Sequence, residues 1–476
     1  MENFFVLQTT AGSPEQTWMS GLLMYFIYSL LLGLGFLVLL PRFIADAFRH
    51  GKYVAGFGER LGSLTPLGGE GRSVVWIHCV SVGEVQAARP LVQGIRERFP
   101  DYLIAVSTIT RTGQNVAKGV FKDQAAKVFY FPFDWRWTVR RTLRAISPDA
   151  VLVLETELWP GFLRECRYQQ IPVALVNGRL SEQSFRRYRL IKPFMRRVLS
   201  SLDLAIMQTE ADGKRIRALG MAAEKTLVFG SMKFDAGATS HTNSLTNEFR
   251  RRFKLSEESP LVLAASTHDP EEVLLLNSFR QIISKSNIQP RLMIAPRHPE
   301  RFAEVADLLN ASGLRWVQRT ASPDEVDGQA AVILLDTIGE LQSVYALASL
   351  VFVGGSIAQT GGHNILEPAA AGVPVIVGPH TYNFQSIVET FVRAGAIVQL
   401  PPMSESATMV ELADVILELL GDPARRRELA ARAQKLVSEN RGATERTLRS
   451  LEPLLATPAQ TARSARSFHA KSAPIA

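Results

Sequence analysis

The chain has 476 residues, which excludes a disulfide-stapled miniprotein and predicts about two to three domains. Apolar residues at 46% and charged residues at 21% exclude wholesale disorder. Lys plus Arg is 53 against 45 for Asp plus Glu, and the resulting charge of +8 suits a partner carrying phosphate or carboxylate. Two cysteines cannot make a disulfide framework, so the soluble part is expected in a reducing compartment. No Cys/His cluster has the spacing of zinc ligands.

From Trp18 to Pro41 no residue is charged, and Gly21 to Leu40 is almost wholly apolar. About 20 such residues span a bilayer core of ~30 Å as a helix. Trp18, Tyr25 and Tyr28 suit a membrane interface. Residues 1–41 carry no Lys or Arg, whereas Arg42, Arg49 and Lys52 follow at once, so the positive-inside rule places everything after Arg42 in the cytoplasm. A cleaved signal peptide needs a basic start and a shorter apolar core, and both are missing. A buried core helix rarely runs this long without a polar face.

Beyond the anchor, short apolar runs alternate with helix-like stretches. Strands are expected at Val74–Val80, Leu103–Ser107, Ala150–Leu154, Val173–Asn177 and Leu204–Gln208. A second series covers Leu261–Ser266, Arg291–Ala295, Val332–Leu335, Leu350–Val353 and Val375–Val377. Uninterrupted hydrophobic strands separated by helices predict parallel sheets covered on both faces. The polar stretch Asp235–Lys254 reads as a linker between two doubly wound halves, with ligands expected beyond the carboxyl ends of the strands. Thr457–Ala476, rich in Ala, Ser, Thr and Pro, reads as a disordered basic tail.

Four passages carry candidate chemistry. In the first, a strand runs through Ser81-Val82-Gly83-Glu84 into a helix. Glu84 there suits a general base if burial raises its pKa from about 4.3, although a first-turn acid is also what a helix dipole favours. In the second, Arg297 and His298 follow a strand and offer donors to a phosphate; a merely solvated basic loop would look the same. The third contains the glycine pairs Gly354-Gly355 and Gly361-Gly362, whose loop N–H groups can hold a phosphate. Asn364 would then cap a helix pointing at the ligand, with Glu367 one turn on and able to accept from ribose hydroxyls. The spacing is not G-x-G-x-x-G, so no dinucleotide fingerprint is supported. Upstream, the N–H groups of Ile338 and Gly339 suit a base edge with Glu340 beside them, or a simple helix cap. The fourth, Ser184–Arg197, interleaves Arg186, Arg187, Arg189, Lys192, Arg196 and Arg197 with apolar side chains. That pattern suits anionic headgroups or a phosphorylated lipid; nucleic acid gives a similar one, and the anchor favours lipid.

Taken in order, these passages resemble the 3-deoxy-D-manno-octulosonic acid (Kdo) transferases of lipopolysaccharide assembly. The matching blocks are the anchor, Gly56–Gly62, Ser81–Glu84, Glu155–Pro160, Asn177–Ser181, Lys233–Asp235, Arg297–Arg301 and the run from Gly361 to His380. The resemblance covers roughly residues 20–440. It implies a GT-B glycosyltransferase of two doubly wound Rossmann-like domains with an amino-terminal transmembrane helix, on the cytoplasmic face of the bacterial inner membrane. Such an enzyme moves Kdo from CMP-Kdo to the lipid A precursor with inversion, needs no cofactor and binds no nucleic acid. By this resemblance Glu84 is the catalytic base. Nucleotide contacts fall to Arg297, His298, Ile338, Gly339, Glu340, Asn364, Ile365, Leu366 and Glu367.

The implied division is a short extracytoplasmic terminus (1–18), an anchor (19–41), an acceptor-binding domain (42–235), a linker (236–256), a nucleotide-sugar domain (257–440) and a terminal helix with basic tail (441–476). Gly230-Ser231-Met232 departs from the family, where asparagine is common at the second position. No Asp-x-Asp tripeptide is present, and Glu155-Thr156-Glu157 reads as acceptor-side or structural, so catalysis without a bound metal is expected. A UDP-sugar transferase or epimerase of the same architecture is the nearest alternative. A non-catalytic membrane adaptor would leave the Gly361–Glu367 loop unexplained.

Overall fold

The computed structural model describes residues 24–38, 56–67, 71–235, 243–256, 259–285 and 288–456. The chain divides into two units: one runs to Asp235 and takes back the segment from Gly442 onward, and the other spans Ala236–Arg441.

In the first unit, β1 (Val74–His78), β2 (Leu103–Thr108), β3 (Lys127–Tyr130), β4 (Ala150–Leu154), β5 (Val173–Gly178), β6 (Leu204–Met207) and β7 (Thr226–Val228) form one sheet. Its order is β3-β2-β1-β4-β5-β6-β7, with every pairing parallel. The strands β1, β4 and β5 are buried at every position, as a sheet covered on both faces requires. Alternate residues feed opposite cores: Trp76 packs with Phe129 and Phe162 on one face, and Val75 and Ile77 with Val85 and Leu91 on the other.

The second unit repeats the plan with β8 (Leu261–Thr267), β9 (Arg291–Pro296), β10 (Trp316–Gln318), β11 (Val332–Leu334), β12 (Leu350–Val353), β13 (Val375–Val377) and β14 (Val398–Gln399). The order is β10-β11-β9-β8-β12-β13-β14, again parallel throughout. Chain direction along the sheet reverses between β1 and β4 in the first unit and between β8 and β12 in the second. Such switch points are where open α/β sheets present a crevice.

One expectation needs correction, and the expected terminal helix finds its place. The stretch expected as a linker is helical over Asn243–Arg252 and belongs to the second unit, with Phe249 and Phe253 buried and Arg252 2.8 Å from Asp327. Apolar residues at 249 and 253, one helical turn apart, outweigh the polar composition. The carboxyl-terminal helix Ala443–Leu455 is part of the first unit, where Leu448, Leu451 and Leu455 join the core beneath helix Val82–Arg98. The tail beyond 456 lies outside the described residues.

Of the expected anchor, residues 24–38 are helical, and 19–23 and 39–41 lie outside the described residues. Among the described residues no helix is long and apolar enough to cross a membrane. The described stretch is about 22 Å long at 1.5 Å per residue. It rests on the first unit through Tyr25 and Tyr28, whose rings lie 5.6 and 6.0 Å from that of Phe194, and Phe36, 5.1 Å from Trp135. Its other face, with Phe26, Leu30, Leu34 and Leu37, is exposed.

One side chain caps the start of the returning segment. Asp235 Oδ1 accepts from the Gly442 N–H and Oδ2 from the Thr444 N–H, both at 2.7 Å, which caps the final helix. Asp235→Ala leaves those N–H groups without their acceptor and is expected to cost about 1–2 kcal/mol, read from chemical unfolding; an unchanged unfolding midpoint would assign the docking to the apolar contacts alone.

Candidate functional site

At the switch point of the first unit, β1 ends and the chain turns through Ser81 into helix Val82–Arg98. Ser81 is the N-cap: its Oγ accepts from the Glu84 N–H at 3.4 Å and its hydroxyl donates to Glu84 Oε1 at 2.9 Å. The Val80 N–H donates to Oε2 at 2.8 Å. The acid therefore does serve the helix terminus. It is also only 6% exposed, and burial, with the Glu155 charge adding to it, pushes its pKa up to about 7 against the lowering effect of those two bonds. A carboxylate that exchanges its proton near neutrality is suited to general-base work. Burial and the Glu155 charge also raise Glu157.

In the second unit the carboxyl ends of β11, β9, β8 and β12 lie side by side, and they gather most of the nucleotide candidates. Arg297 and His298 follow β9, with the Arg297 N–H bonded to the Thr267 carbonyl at 3.0 Å. His363, from the loop after β12, places Nε2 2.7 Å from Nε2 of His268, and His298 meets His268 edge-on at 5.1 Å. Burial, then neighbouring positive charge, lowers His268 to about 4 and His363 to about 3, so both are neutral at pH 7. His268 was not among the residues expected here. A histidine just past a buried strand was the available signal.

The glycine-pair loop departs from expectation. At its first glycine pair the N–H groups do not stand open for a phosphate: those of Gly355, Ser356, Ile357 and Ala358 all donate to the carboxylate of Glu271, at 2.8–3.1 Å, and the His268 N–H adds a fifth bond at 3.0 Å. Glu271 is fully buried and supplies the negative charge itself. A Cβ on Gly354 would come within 2.4 Å of the Ser266 carbonyl oxygen, so this strand approach requires glycine.

Asn364 caps the next turn, accepting from the Leu366 N–H at 3.0 Å and donating to Glu367 Oε1 at 3.0 Å. The Ile365 and Leu366 side chains are wholly buried, which leaves only their backbone to meet a ligand. Gly339 holds φ at 91° and Ile338 is exposed, while Glu340 is held by Arg319, at 2.9 and 3.0 Å, and by Thr337. Burial would raise Glu340, but those partners keep it below the usual carboxylate range. Arg301 is likewise structural, bridging buried Glu272 at 2.7 Å and Glu304 at 2.8 Å.

The basic stretch is two helices broken at Ile191. Arg186, Arg187 and Arg189 lie on Glu182–Leu190, and Lys192, Arg196 and Arg197 on Lys192–Leu199. All but Arg197 are exposed, as are Leu190 and Ile191. Phe194, from the second helix, is the ring that Tyr25 and Tyr28 contact. Among the described residues no group of three His, Cys, Asp or Glu is arranged to hold a metal ion.

Residues 55–236 match the family model described as 3-deoxy-D-manno-octulosonic-acid transferase (kdotransferase). A 3-deoxy-D-manno-octulosonic acid transferase of Haemophilus influenzae is 35% identical over 384 residues, covering 80% of this chain and 87% of the relative. One of Chlamydia trachomatis is 30% identical over 427 residues, 88% and 95% of the two chains. Among solved structures, the C-terminal CMP-Kdo binding domain of WaaA from Acinetobacter baumannii is 32% identical, covering 41% of this chain and 97% of that one, with a TM-score of 0.37. A Listeria monocytogenes structure described as a UDP-N-acetylglucosamine 2-epimerase shares the fold at 15% identity, with a TM-score of 0.50 over 82% of this chain and 98% of that one.

The Glu271 cradle makes a direct prediction. Glu271→Gln removes the charge and turns a donor toward N–H groups that need an acceptor, so it is expected to destabilise the protein by about 2–3 kcal/mol in chemical unfolding; a loss near zero would show that the loop can satisfy itself without an anion.

Proposed function

Because the chain belongs to the 3-deoxy-D-manno-octulosonic acid (Kdo) transferase family, glycosyltransferases that transfer Kdo in lipopolysaccharide biosynthesis, we propose that it takes Kdo from CMP-Kdo and delivers it to the lipid A precursor (lipid IVA), with Glu84 as general base. The observation that carries the base assignment is the buried Glu84 carboxylate at the first switch point, with its proton affinity raised to neutrality.

In this reading the acceptor hydroxyl oxygen attacks the anomeric carbon of Kdo while Glu84 removes its proton. The bond from that carbon to the CMP phosphate oxygen breaks, and its electron pair leaves with CMP, so the sugar is inverted. Arg297, permanently charged, and His298 donate to the phosphate as charge grows on it. The N–H groups of Ile338 and Gly339 read the base, and Asn364 and Glu367 hold the ribose. Protein groups alone carry these roles, with no metal step.

Membrane attachment belongs to the same proposal. Residues 19–41 form a single-pass anchor of the bacterial inner membrane, with both units on the cytoplasmic side. Support comes from the apolar exposed face of helix 24–38 and from the basic helices beside it, whose arginines suit anionic lipid and the phosphates of the acceptor.

Glu84→Gln is expected to lower transfer about 10²–10⁴-fold while CMP affinity by calorimetry stays within a few-fold of the parent; persisting transfer removes Glu84 from the chemistry. Since the base acts deprotonated, kcat/KM is expected to rise with pH through a midpoint near 7 and to fall tenfold per unit below it. Activity is expected to be full in excess chelator, and its loss there would refute the metal-free step. Calorimetry of UDP against CMP tests the donor class.

A further inference from the structure

β8 runs between β9 and β12 in the second sheet, and its end is shaped to aim a side chain. Ser266 holds φ at 57°, a left-handed conformation that serine seldom adopts, and His268 stands two residues on. The His268 N–H is fixed on Glu271 at 3.0 Å. Its ring lies within 6° of parallel to that of His363, with the facing Nε2 atoms 2.7 Å apart. Both rings are half-buried, and the exposed His298 meets His268 edge-on.

A nitrogen–nitrogen contact this short needs one proton between the rings. One histidine then donates through Nε2, the other accepts, and the pair is neutral. A further proton goes to the far nitrogen of the donating ring, and the Nε2 bond survives as a charge-assisted one. The next would set two Nε2–H groups against each other. The pair therefore holds one positive charge and never two.

We propose that His268 and His363 form a second cation of the donor site: the pair takes up one proton when the phosphodiester of the donor binds and shares the resulting charge across its Nε2 bond. This rests on the reading that Arg297 and His298 meet that phosphate. Breaking the sugar–oxygen bond takes the phosphate from one negative charge to two, so the charge on the pair is worth most as CMP departs.

The surrounding groups are consistent in sign. Burial, then His298, Arg301 and Arg297, lowers His268 to about 4, and burial, then His268, Arg297 and His298, lowers His363 to about 3. A bound anion opposes those cations and raises the pair. Arg301 is answered by Glu272 and Glu304, His298 has Glu300 at 3.9 Å, and Glu367 accepts from Asn364. Asp269 is exposed. From the loop after β13, His380 lines a cavity with Gln399 and Pro401. Glu271 is raised by burial and lowered by its N–H bonds, so it is the competing proton acceptor that a test must separate.

The test is calorimetry in buffers of differing ionisation heat, with cytidine 5′-(methyl phosphate), a diester that has no phosphate proton to lose near neutrality. It is titrated into full-length Glu84→Gln enzyme, which takes the Glu84 carboxyl out of the proton count. Most of one proton is expected to be taken up per nucleotide at pH 5.5 and almost none at pH 8. Affinity is expected to rise several-fold, to about tenfold, as pH falls between them, because the bound pair holds its proton more tightly than the free pair. Adding His268→Gln and His363→Gln together, with Glu271 intact, is expected to abolish both the uptake and the pH dependence. His298→Gln is expected to weaken binding and keep the uptake. Absence of uptake in the Glu84→Gln enzyme, its survival without the pair, or its loss in His298→Gln alone overturns the inference. If the enzyme lacking the pair does not fold, nitrogen NMR of the two rings in the bound Glu84→Gln enzyme decides: a charged ring supports the inference and two neutral rings overturn it. A diester that binds at neither pH overturns the donor reading itself, a failure distinct from binding without proton uptake.

Discussion

Burying a carboxylate removes it from water at a cost that donors must answer. Each sheet holds one at its switch point, and the two are answered differently. Glu271 in the second unit receives five N–H bonds and is spent on structure, fixing the loop after β12. Glu84 in the first unit receives two bonds and faces a like charge, so its ionised form is only half supported. The same residue type at equivalent places in a repeated fold is thus a brace in one unit and, in the function proposed above, a proton acceptor in the other.

This contrast also marks what the sequence could convey. The inner strands were legible because both faces are buried and every residue is apolar, so Ala150–Leu154, Leu350–Val353 and Val375–Val377 stand where expected. The strands that were missed, β3, β7, β10 and β14, are the outermost of the two sheets. They are short and partly exposed, so no continuous apolar run announces them. The helix Asn243–Arg252 was hidden for a related reason. Its apolar contribution is Leu245 and one fully buried phenylalanine, completed by Phe253 just beyond its end, amid polar and basic neighbours.

At the site, the placement of residues adjacent in sequence to a strand end was readable, because a buried apolar run fixes where its strand ends. Glu84, Arg297 and His298 fall in that class. Contacts across the sheet were not readable. Nothing local tells that Glu271 occupies the glycine loop 84 residues later, or that His268 meets His363 across 95. At the first glycine pair the expected phosphate is replaced by the chain's own carboxylate, whereas the second pair, Gly361-Gly362, is not filled by Glu271. The family resemblance located Lys233–Asp235 and Glu155–Pro160 without explaining them. The structure separates their parts: Asp235 caps a helix, whereas Lys233 engages Glu155.

The charges of the two switch points also support the proposal that base and donor belong to different units. The first carries Glu84, Glu155 and Glu157 against Lys233, a surplus of acid that would repel a phosphate but tolerates a neutral hydroxyl. The second carries Arg297 beside His268 and His363, which share one N–H between facing Nε2 atoms and so cannot both be cationic. Of its acids, Glu271 is consumed by the backbone, Glu340 is held by Arg319 and Glu367 accepts from Asn364. What remains for an incoming anion is a permanent cation and histidines that gain a proton more easily once that anion is present. An acid-rich crevice for deprotonation and a cation-bearing one for a departing phosphate are incompatible within one cluster of side chains. Two copies of the same sheet allow both.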